Sequence, residues 1–137
     1  MKTLEEINKT FRPLDVPESG VLNDLIWSDP SYRAPVKPDH RERDRDREKG
    51  YLIPEYDQSE RGYGFTFTQE AVENFLCEYR LEMVCRAHEV IFHGFQLAPN
   101  RRLATICSLP NYCGIYNNSG AVMNVDDEVN IFFRIMK

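Results

Sequence analysis

Two segments of the sequence carry side chains that could bind an anion or a metal ion. Arg61 stands beside Gly62, and an arginine in such a loop can present its planar fork to a phosphate or a carboxylate. His88 follows a β-like run at residues 81–85, and a histidine at a strand end suits metal binding or proton transfer. Each has a plainer alternative role: Arg61 as a solvated surface side chain, and His88 as a partly buried packing residue.

A third segment, residues 108–114, places a phenol and a thiol next to each other on a turn. Cys113 as a nucleophile would need a nearby base or a lowered pKa. No neighbouring residue supplies either, so a cysteine hydrolase is excluded. The hydroxyl of Tyr112 is a candidate contact for a bound anion, and the alternative is that Tyr112 packs the turn.

The N-terminal part of the chain reads as a helix followed by a strand. Apolar residues at 4, 7 and 11 recur at helical spacing, and Thr3 with Glu6 has the form of a capping box. Pro13 and Pro17 end this predicted helix. The apolar run Val21–Trp27, which stops at Ser-Asp-Pro, predicts a buried strand ending in a loop, where sites in α/β sheets tend to lie.

The C-terminal part reads as one helix followed by several strands. Thr68 can cap a helix whose apolar stripe includes Val72, Phe75 and Tyr79, and a short strand or turn at residues 65–67 precedes it. Period-two alternation and turn residues predict strands at 81–85, 94–98, 103–107, 121–125 and 129–135. The pattern predicts an α/β layered sandwich, or part of one.

A strongly charged stretch separates these two parts. Residues 39–49 read DHRERDRDREK, with five acidic and five basic side chains and no aliphatic one. Such a composition cannot bury enough apolar surface to offset the entropy of ordering it. We expect a charged surface insertion at about 31–60, and the alternative is a solvent-exposed helix.

Composition narrows the class of protein. The 137 residues suffice for one domain, and 42% of them are hydrophobic, as in globular proteins. The excess of 22 acidic over 17 basic residues makes nucleic acid a poor default partner, and no apolar run is long enough for a membrane span. With no signal-peptide pattern and no Cys-x-x-Cys pair, the four cysteines read as buried thiols, and we expect a cytoplasmic or nuclear protein.

Five segments in order then point to a family: GVLNDLIWSDP, ERGYGFTF, VCRAHEV, SLPNYCGIYNNSGAVM and VNIFFRI. Their sequence and spacing resemble the C-terminal half of the metal-dependent serine/threonine protein phosphatases, with type 1 the nearest. The resemblance implies that residues 1–137 are the C-terminal part of a calcineurin-like phosphoesterase domain. The implied fold is part of the α/β/β/α metallophosphoesterase sandwich, with mostly antiparallel strands and flanking helices.

The resemblance also implies roles for individual residues. Arg61 matches the arginine that grips the substrate phosphate, and Tyr112 matches the tyrosine that lines the same site. His88 matches the histidine of an Arg-Ala-His motif that coordinates one of two divalent metal ions, whether manganese, iron or zinc. Trp27 and Asp29 match a Trp-Ser-Asp-Pro loop at the edge of the cleft, and we expect structural or substrate-loop roles for them.

The family segments that carry most metal ligands have no counterpart in this sequence. These are Gly-Asp-x-His-Gly, Gly-Asp-x-Val-Asp-Arg-Gly and Gly-Asn-His-Glu, so His88 is the one metal ligand that the resemblance assigns here. In a complete domain the expected reaction is hydrolysis of phosphoserine or phosphothreonine in phosphoprotein substrates by a water that two metals activate. We expect this chain alone to be incomplete and inactive.

The resemblance further implies a groove, remote from the metals, at which regulatory subunits dock through short motifs. The matching positions are all apolar: Met83, Leu97, Val129, Ile131 and Phe133. The alternative is that these side chains are ordinary sheet core. A groove without catalysis gives the alternative function, a non-catalytic half-domain that binds regulatory motifs.

Overall fold

The computed structural model describes residues 4–31 and 55–137 as an α/β fold built from short elements. The helices are α1 (Glu5–Lys9), α2 (Val21–Trp27) and α3 (Gln69–Tyr79). The strands are β1 (Asp29–Pro30), β2 (Tyr56–Gln58), β3 (Phe65–Phe67), β4 (Val84–Arg86), β5 (Phe95–Leu97), β6 (Leu103–Ile106), β7 (Gly120–Val125) and β8 (Ile131–Met136). The predicted α/β class, with mostly antiparallel strands and flanking helices, is confirmed.

The first sheet has the order β1-β3-β2 and brings two distant loops together. Strand β1 runs parallel to β3, with Asp29 opposite Thr66, and β2 runs antiparallel to β3. The loop from β2 to β3 therefore lies at the same end of the sheet as the start of β1. Ser28 Oγ fixes this arrangement by accepting a hydrogen bond of 3.0 Å from the N–H of Phe65.

The second sheet has the order β4-β6-β5, and its central strand β6 is buried. Helix α3 supplies the apolar partners, because its buried residues Val72 and Leu76 cluster with Ala98 and Leu103. Thr68 caps the helix as predicted, because its hydroxyl accepts a 3.3 Å hydrogen bond from the N–H of Ala71. This cluster is the hydrophobic core of the described residues.

The third sheet is the antiparallel hairpin of β7 and β8. It meets the second sheet through Phe133, whose ring stacks face to face on Phe95 with 3.9 Å between centroids. Close backbone approach also joins the two sheets, since a Cβ on Gly94 would lie 2.7 Å from the carbonyl of Gly120. Glycine is therefore required at residue 94, where the start of β7 comes closest to the chain.

The prediction of a strand at Val21–Trp27 is wrong, because these residues form helix α2. The helix follows Gly20, which takes a φ of 97°, and it ends where the N–H of Ser28 bonds the carbonyl of Asp24 at 3.1 Å. A short apolar run fits either element, and periodicity alone does not separate them. Here the apolar residues at 22, 25 and 26 repeat at helical spacing.

Other sequence predictions meet the structure in part. Helix α1 ends at Lys9, before the predicted contact at Phe11, which is exposed. Thr3 of the proposed capping box and residues 39–49 of the charged stretch lie outside the described residues, while β2 lies inside the range assigned to the insertion.

All four cysteines are free thiols, and the predicted burial holds for Cys107 alone. In the described parts of the chain, no helix has the length and apolarity to cross a membrane.

Gly64 should be much less replaceable than its neighbour Gly62. Both have positive φ angles, 65° and 81°, which disfavour alanine. A Cβ at Gly64 would also lie 2.7 Å from the backbone of Trp27, whereas one at Gly62 meets nothing within 4 Å. We expect Gly64→Ala to lower the free energy of unfolding by about 2 kcal/mol or more and Gly62→Ala by about 1 kcal/mol. Equal losses in denaturant titrations would contradict the close approach of this loop to Trp27.

Candidate functional site

A buried carboxylate connects the three elements that meet at the end of the first sheet. Asp29, at the start of β1, is 9% exposed. Its Oδ2 accepts a hydrogen bond of 2.6 Å from Nε of Arg61, in the loop between β2 and β3. Its Oδ1 accepts one of 2.5 Å from Nη2 of Arg86, at the end of β4. One carboxylate is thus shared by two guanidinium groups.

The charge on Asp29 is stabilised by these partners. Burial by itself opposes ionisation, but the hydrogen bonds and positive charges of Arg61 and Arg86 outweigh it, so the pKa of Asp29 lies below its usual value. Asp29 is therefore an anion at neutral pH. It can hold both arginines without a change of protonation.

Both terminal nitrogens of Arg86 bind protein partners. Its side chain is 12% exposed. Nη2 also donates to the carbonyl of Ser28 at 3.0 Å, and Nη1 pairs with the carboxylate of Glu89. Burial raises the pKa of Glu89, although the charge of Arg86 opposes that rise. Arg86 is thus a fixed cation that belongs to the scaffold.

Arg61 differs from Arg86 in what its guanidinium leaves free. Its Nε is bound to Asp29, but the side chain is 45% exposed. Within residues 4–31 and 55–137, neither terminal nitrogen of Arg61 has a hydrogen-bond partner. The backbone of the loop is set by Ser59, whose Oγ accepts from the N–H of Arg61 at 3.2 Å. Arg61 is therefore fixed through Nε while the described residues leave both terminal amino groups unbound, as a bidentate anion contact requires.

His88 lies next to the same carboxylate. Its Nδ1 is 3.4 Å from Oδ1 of Asp29, and its ring meets the edge of Trp27 with 5.1 Å between centroids. Its φ of 77° is in the left-handed region, which is uncommon for residues other than glycine. Such strain persists where surrounding contacts impose it, and it clusters at functional sites. Because both contact Asp29, His88 and Arg61 lie close together in the structure, and both are candidate site residues from the sequence.

An open depression of about 380 Å³ lies beside His88. Its apolar wall comes from helix α2, through Leu25 and Ile26, and its polar wall from Arg86 and His88. The site thus depends on Val21–Trp27 being a helix and not the predicted strand. The helix delivers Leu25 and Ile26 to the depression and the next residues, Ser28 and Asp29, to the ion pairs.

The described residues do not form the ligand set that a pair of divalent ions needs. In this part of the chain, no three His, Cys, Asp or Glu side chains cluster in a way that could hold a metal ion. The carboxylates of Asp29 and Glu89 are both paired with Arg86. His88 could contribute one imidazole ligand, but the other ligands would have to come from elsewhere.

Tyr112 lies on a different loop, in a 3₁₀ turn at Tyr112–Gly114. Its ring packs near Tyr116, with 5.9 Å between centroids. Across the described segments, no hydrogen bond joins Tyr112 to Arg61 or His88. Its predicted role at the phosphate site stays a prediction.

Sequence analysis missed the residue that holds the Tyr112 loop, Asn118. Its Oδ1 accepts from the N–H of Tyr112 at 2.8 Å, and its Nδ2 donates to the carbonyls of Leu109 and Ser119, each at 2.9 Å. The side chain is buried and also contacts the thiol of Cys107. The Asn-Asn-Ser-Gly run at residues 117–120 predicts a turn, but this run does not show which asparagine points inward.

The predicted groove residues fall on neighbouring elements of the second and third sheets. Leu97 shares a face of β5 with Phe95, and Ile131 shares a face of β8 with Phe133, because side chains two apart on a strand lie on the same side. The stacked Phe95 and Phe133 rings connect these faces. Val129 at the hairpin end is exposed, and Met83 directly precedes β4. Binding of a partner here stays a prediction.

With this geometry in view, comparison with known proteins defines the family. Residues 1–92 of the 137 match the model of the calcineurin-like phosphoesterases, so the chain belongs to that family. Its fold is similar to a solved structure from Saccharomyces cerevisiae, a protein serine/threonine phosphatase described as similar to human phosphatase PP5. The TM-score is 0.72 at 23% identity, and the match covers 98% of this chain. The chain spans 39% of that phosphatase, and the predicted family is confirmed.

Loss of Asn118 should weaken the protein more than loss of an exposed asparagine. Asn118→Ala removes the partner of the Tyr112 N–H and of the Leu109 and Ser119 carbonyls, all in part-buried hydrogen bonds, and a polar group left without its partner inside the protein costs about 1–3 kcal/mol. We expect unfolding free energy to fall by at least about 2 kcal/mol. Asn74→Ala is the matched control, because exposed Asn74 donates a single bond of 2.7 Å to Glu55. Similar losses for both variants in thermal or denaturant unfolding would contradict the anchoring role of Asn118.

Proposed function

We propose that this chain forms the phosphate-binding part of a serine/threonine protein phosphatase. Its substrates would be phosphoserine or phosphothreonine in proteins. The observation that carries the proposal is the half-exposed guanidinium of Arg61, whose Nε is fixed by Asp29 next to His88. Membership of the calcineurin-like phosphoesterases and the fold shared with a serine/threonine phosphatase support it.

The chemistry proposed for this chain is binding and orientation. The two terminal amino groups of Arg61 can each donate to a different oxygen of a phosphoryl group, which fixes the phosphorus and offsets its charge. His88 could offer its imidazole to a divalent metal ion. Since the described residues supply no further ligands for such an ion, no hydrolytic step is assigned to them. Hydrolysis would require ligands in addition to this set.

Phosphopeptide binding tests the proposal directly. The purified chain should bind a fluorescent phosphoserine peptide more tightly than the same peptide with serine, as measured by anisotropy. Arg61→Ala should weaken that binding by about tenfold or more, since hydrogen bonds to charged groups are worth about 1.5–3 kcal/mol.

Arg101→Ala provides the matched control. Arg101 is exposed in the turn between β5 and β6, so its loss removes the same charge away from the site. An equal effect of both variants would indicate nonspecific attraction to a negative peptide. Equal binding of the phosphorylated and unphosphorylated peptides by the wild-type chain would contradict the proposed function.

Hydrolysis by the chain alone should be absent. With manganese and the phosphoserine peptide, we expect phosphate release no greater than that of His88→Ala, because a single imidazole cannot hold a two-metal centre against water. Colorimetric phosphate assays at equal protein concentration measure this. Manganese-dependent release that His88→Ala abolishes would show that the chain contains a full set of ligands.

A second candidate function, binding of short regulatory motifs, is favoured by the hairpin. Val129 and Ile131 are 65% and 39% exposed, and Ile131 lies on the same face of β8 as Phe133, whose ring stacks on Phe95 of the second sheet. Apolar side chains that remain exposed next to a packed aromatic pair offer anchor contacts to an extended peptide. This candidate needs no metal ion.

A peptide with a Val-x-Phe core should bind the chain measurably in this second case. Phe133→Asp should abolish binding, but it also removes the stacking partner of Phe95. Val129→Gly is the cleaner variant, because Val129 has a φ of 65° that glycine adopts readily, so the side chain is lost without strain. We expect Val129→Gly to weaken peptide binding with no loss of thermal stability. Unchanged affinity in both variants would contradict the groove assignment.

A further inference from the structure

The two arginines that bind Asp29 differ in how many of their nitrogens contact protein groups. Every terminal nitrogen bond shown for Arg86 goes to protein, to Asp29, Ser28 and Glu89, and its side chain is nearly buried. Arg61 contributes a single nitrogen, Nε, to the same carboxylate. Asp29 is therefore held in place from one side by the scaffold, and it holds a half-exposed arginine on its other side.

Arg61 binds Asp29 through Nε, and this determines which of its N–H donors stay available. A guanidinium has five N–H donors in a planar fork, and the end-on edge formed by the two terminal amino groups does not include Nε. Binding of Nε at 2.6 Å fixes the plane of the group while the terminal amino groups stay available. A flexible arginine on a glycine-flanked loop would otherwise lose considerable side-chain freedom on binding a ligand. A fixed plane removes much of that cost before the ligand arrives.

We propose that Asp29 is a positioning residue that orients Arg61 for phosphate binding. The proposal rests on the proposed function, because it assumes that Arg61 is the phosphate contact. Asp29 itself does not touch the phosphate, since its Oδ2 faces Arg61 and its Oδ1 faces Arg86 and His88. Its effect on affinity passes through the Arg61 guanidinium. Helix α2 and the parallel pairing of β1 with β3 are what deliver Asp29 to that place.

Spectroscopy of the wild-type chain measures the state of the Arg61 side chain directly. In ¹H–¹⁵N spectra of arginine side chains, the Nε–H of Arg61 should exchange slowly with water, because it is bound to a buried carboxylate. The Nε–H of exposed Arg101 should exchange fast. Arg61→Lys assigns the signal by removing it. Equally fast exchange at Arg61 and Arg101 would overturn the proposal.

Asp29→Asn then tests the consequence for binding. We expect fast exchange at Arg61 Nε–H and about tenfold weaker binding of inorganic phosphate and of the phosphoserine peptide. The double variant Asp29→Asn with Arg61→Ala should bind no more weakly than Arg61→Ala alone, because Asp29 acts through Arg61. Additive losses would indicate an independent, structural role and would overturn the proposal. Asp57→Asn, at an exposed carboxylate in β2, is the matched control and should change neither measurement.

The two proposals fail in distinguishable ways. If the wild-type chain binds neither phosphate nor the phosphoserine peptide, the proposed function fails, and with it the assumption that Arg61 is the phosphate contact. If the wild-type chain binds and Asp29→Asn binds equally well at unchanged thermal stability, the positioning role alone fails.

Discussion

The arrangement of the site depends on one buried carboxylate shared between two guanidinium groups. A charge withdrawn from water is costly unless opposite charges and hydrogen bonds compensate for it. Asp29 has both, from Arg61 on one side and Arg86 on the other, and the low pKa of its carboxyl reflects that balance. The three residues come from three separate elements, so the ion pairs also tie those elements together.

Backbone geometry places these side chains within reach. Strand β1 lies parallel to β3, which puts Asp29 at the same end of the sheet as the β2–β3 loop. Gly64 lets that loop approach the backbone of Trp27 more closely than any residue with a Cβ could. The backbone carbonyl of Ser28 bonds Arg86 at the end of β4, so the first and second sheets meet at this point. Arg61 and His88 become neighbours as a result of these contacts.

Local patterns in the sequence predicted much of the fold. Helix α3 and the strands β4 to β8 were found because their apolar period and turn residues agree with the final structure. Helix α2 was missed because seven apolar-rich residues fit a strand equally well, and the difference depends on what they pack against. The family was predicted from five ordered segments, and 92 matched residues confirm it.

The site was less predictable than the fold. Arg61, His88 and Asp29 could each be named from motifs, but the contact between Asp29 and Arg61 joins residues 32 positions apart and arises from strand pairing. Asn118 was missed because its role depends on which of two adjacent asparagines faces inward. Tyr112 matched a motif, yet it lies on a different loop from Arg61 and His88, where its ring packs near Tyr116. Contacts between distant segments carry information that local spacing does not.

The proposed site depends on Asp29 holding Arg61 with its terminal nitrogens free for a phosphate. A crystal structure of the chain grown or soaked with inorganic phosphate measures this most directly. We expect phosphate bound to the terminal nitrogens of Arg61, while Nε keeps its bond to Asp29. Phosphate bound elsewhere, with the terminal nitrogens of Arg61 occupied by a protein carboxylate or the bond to Asp29 absent, would contradict it.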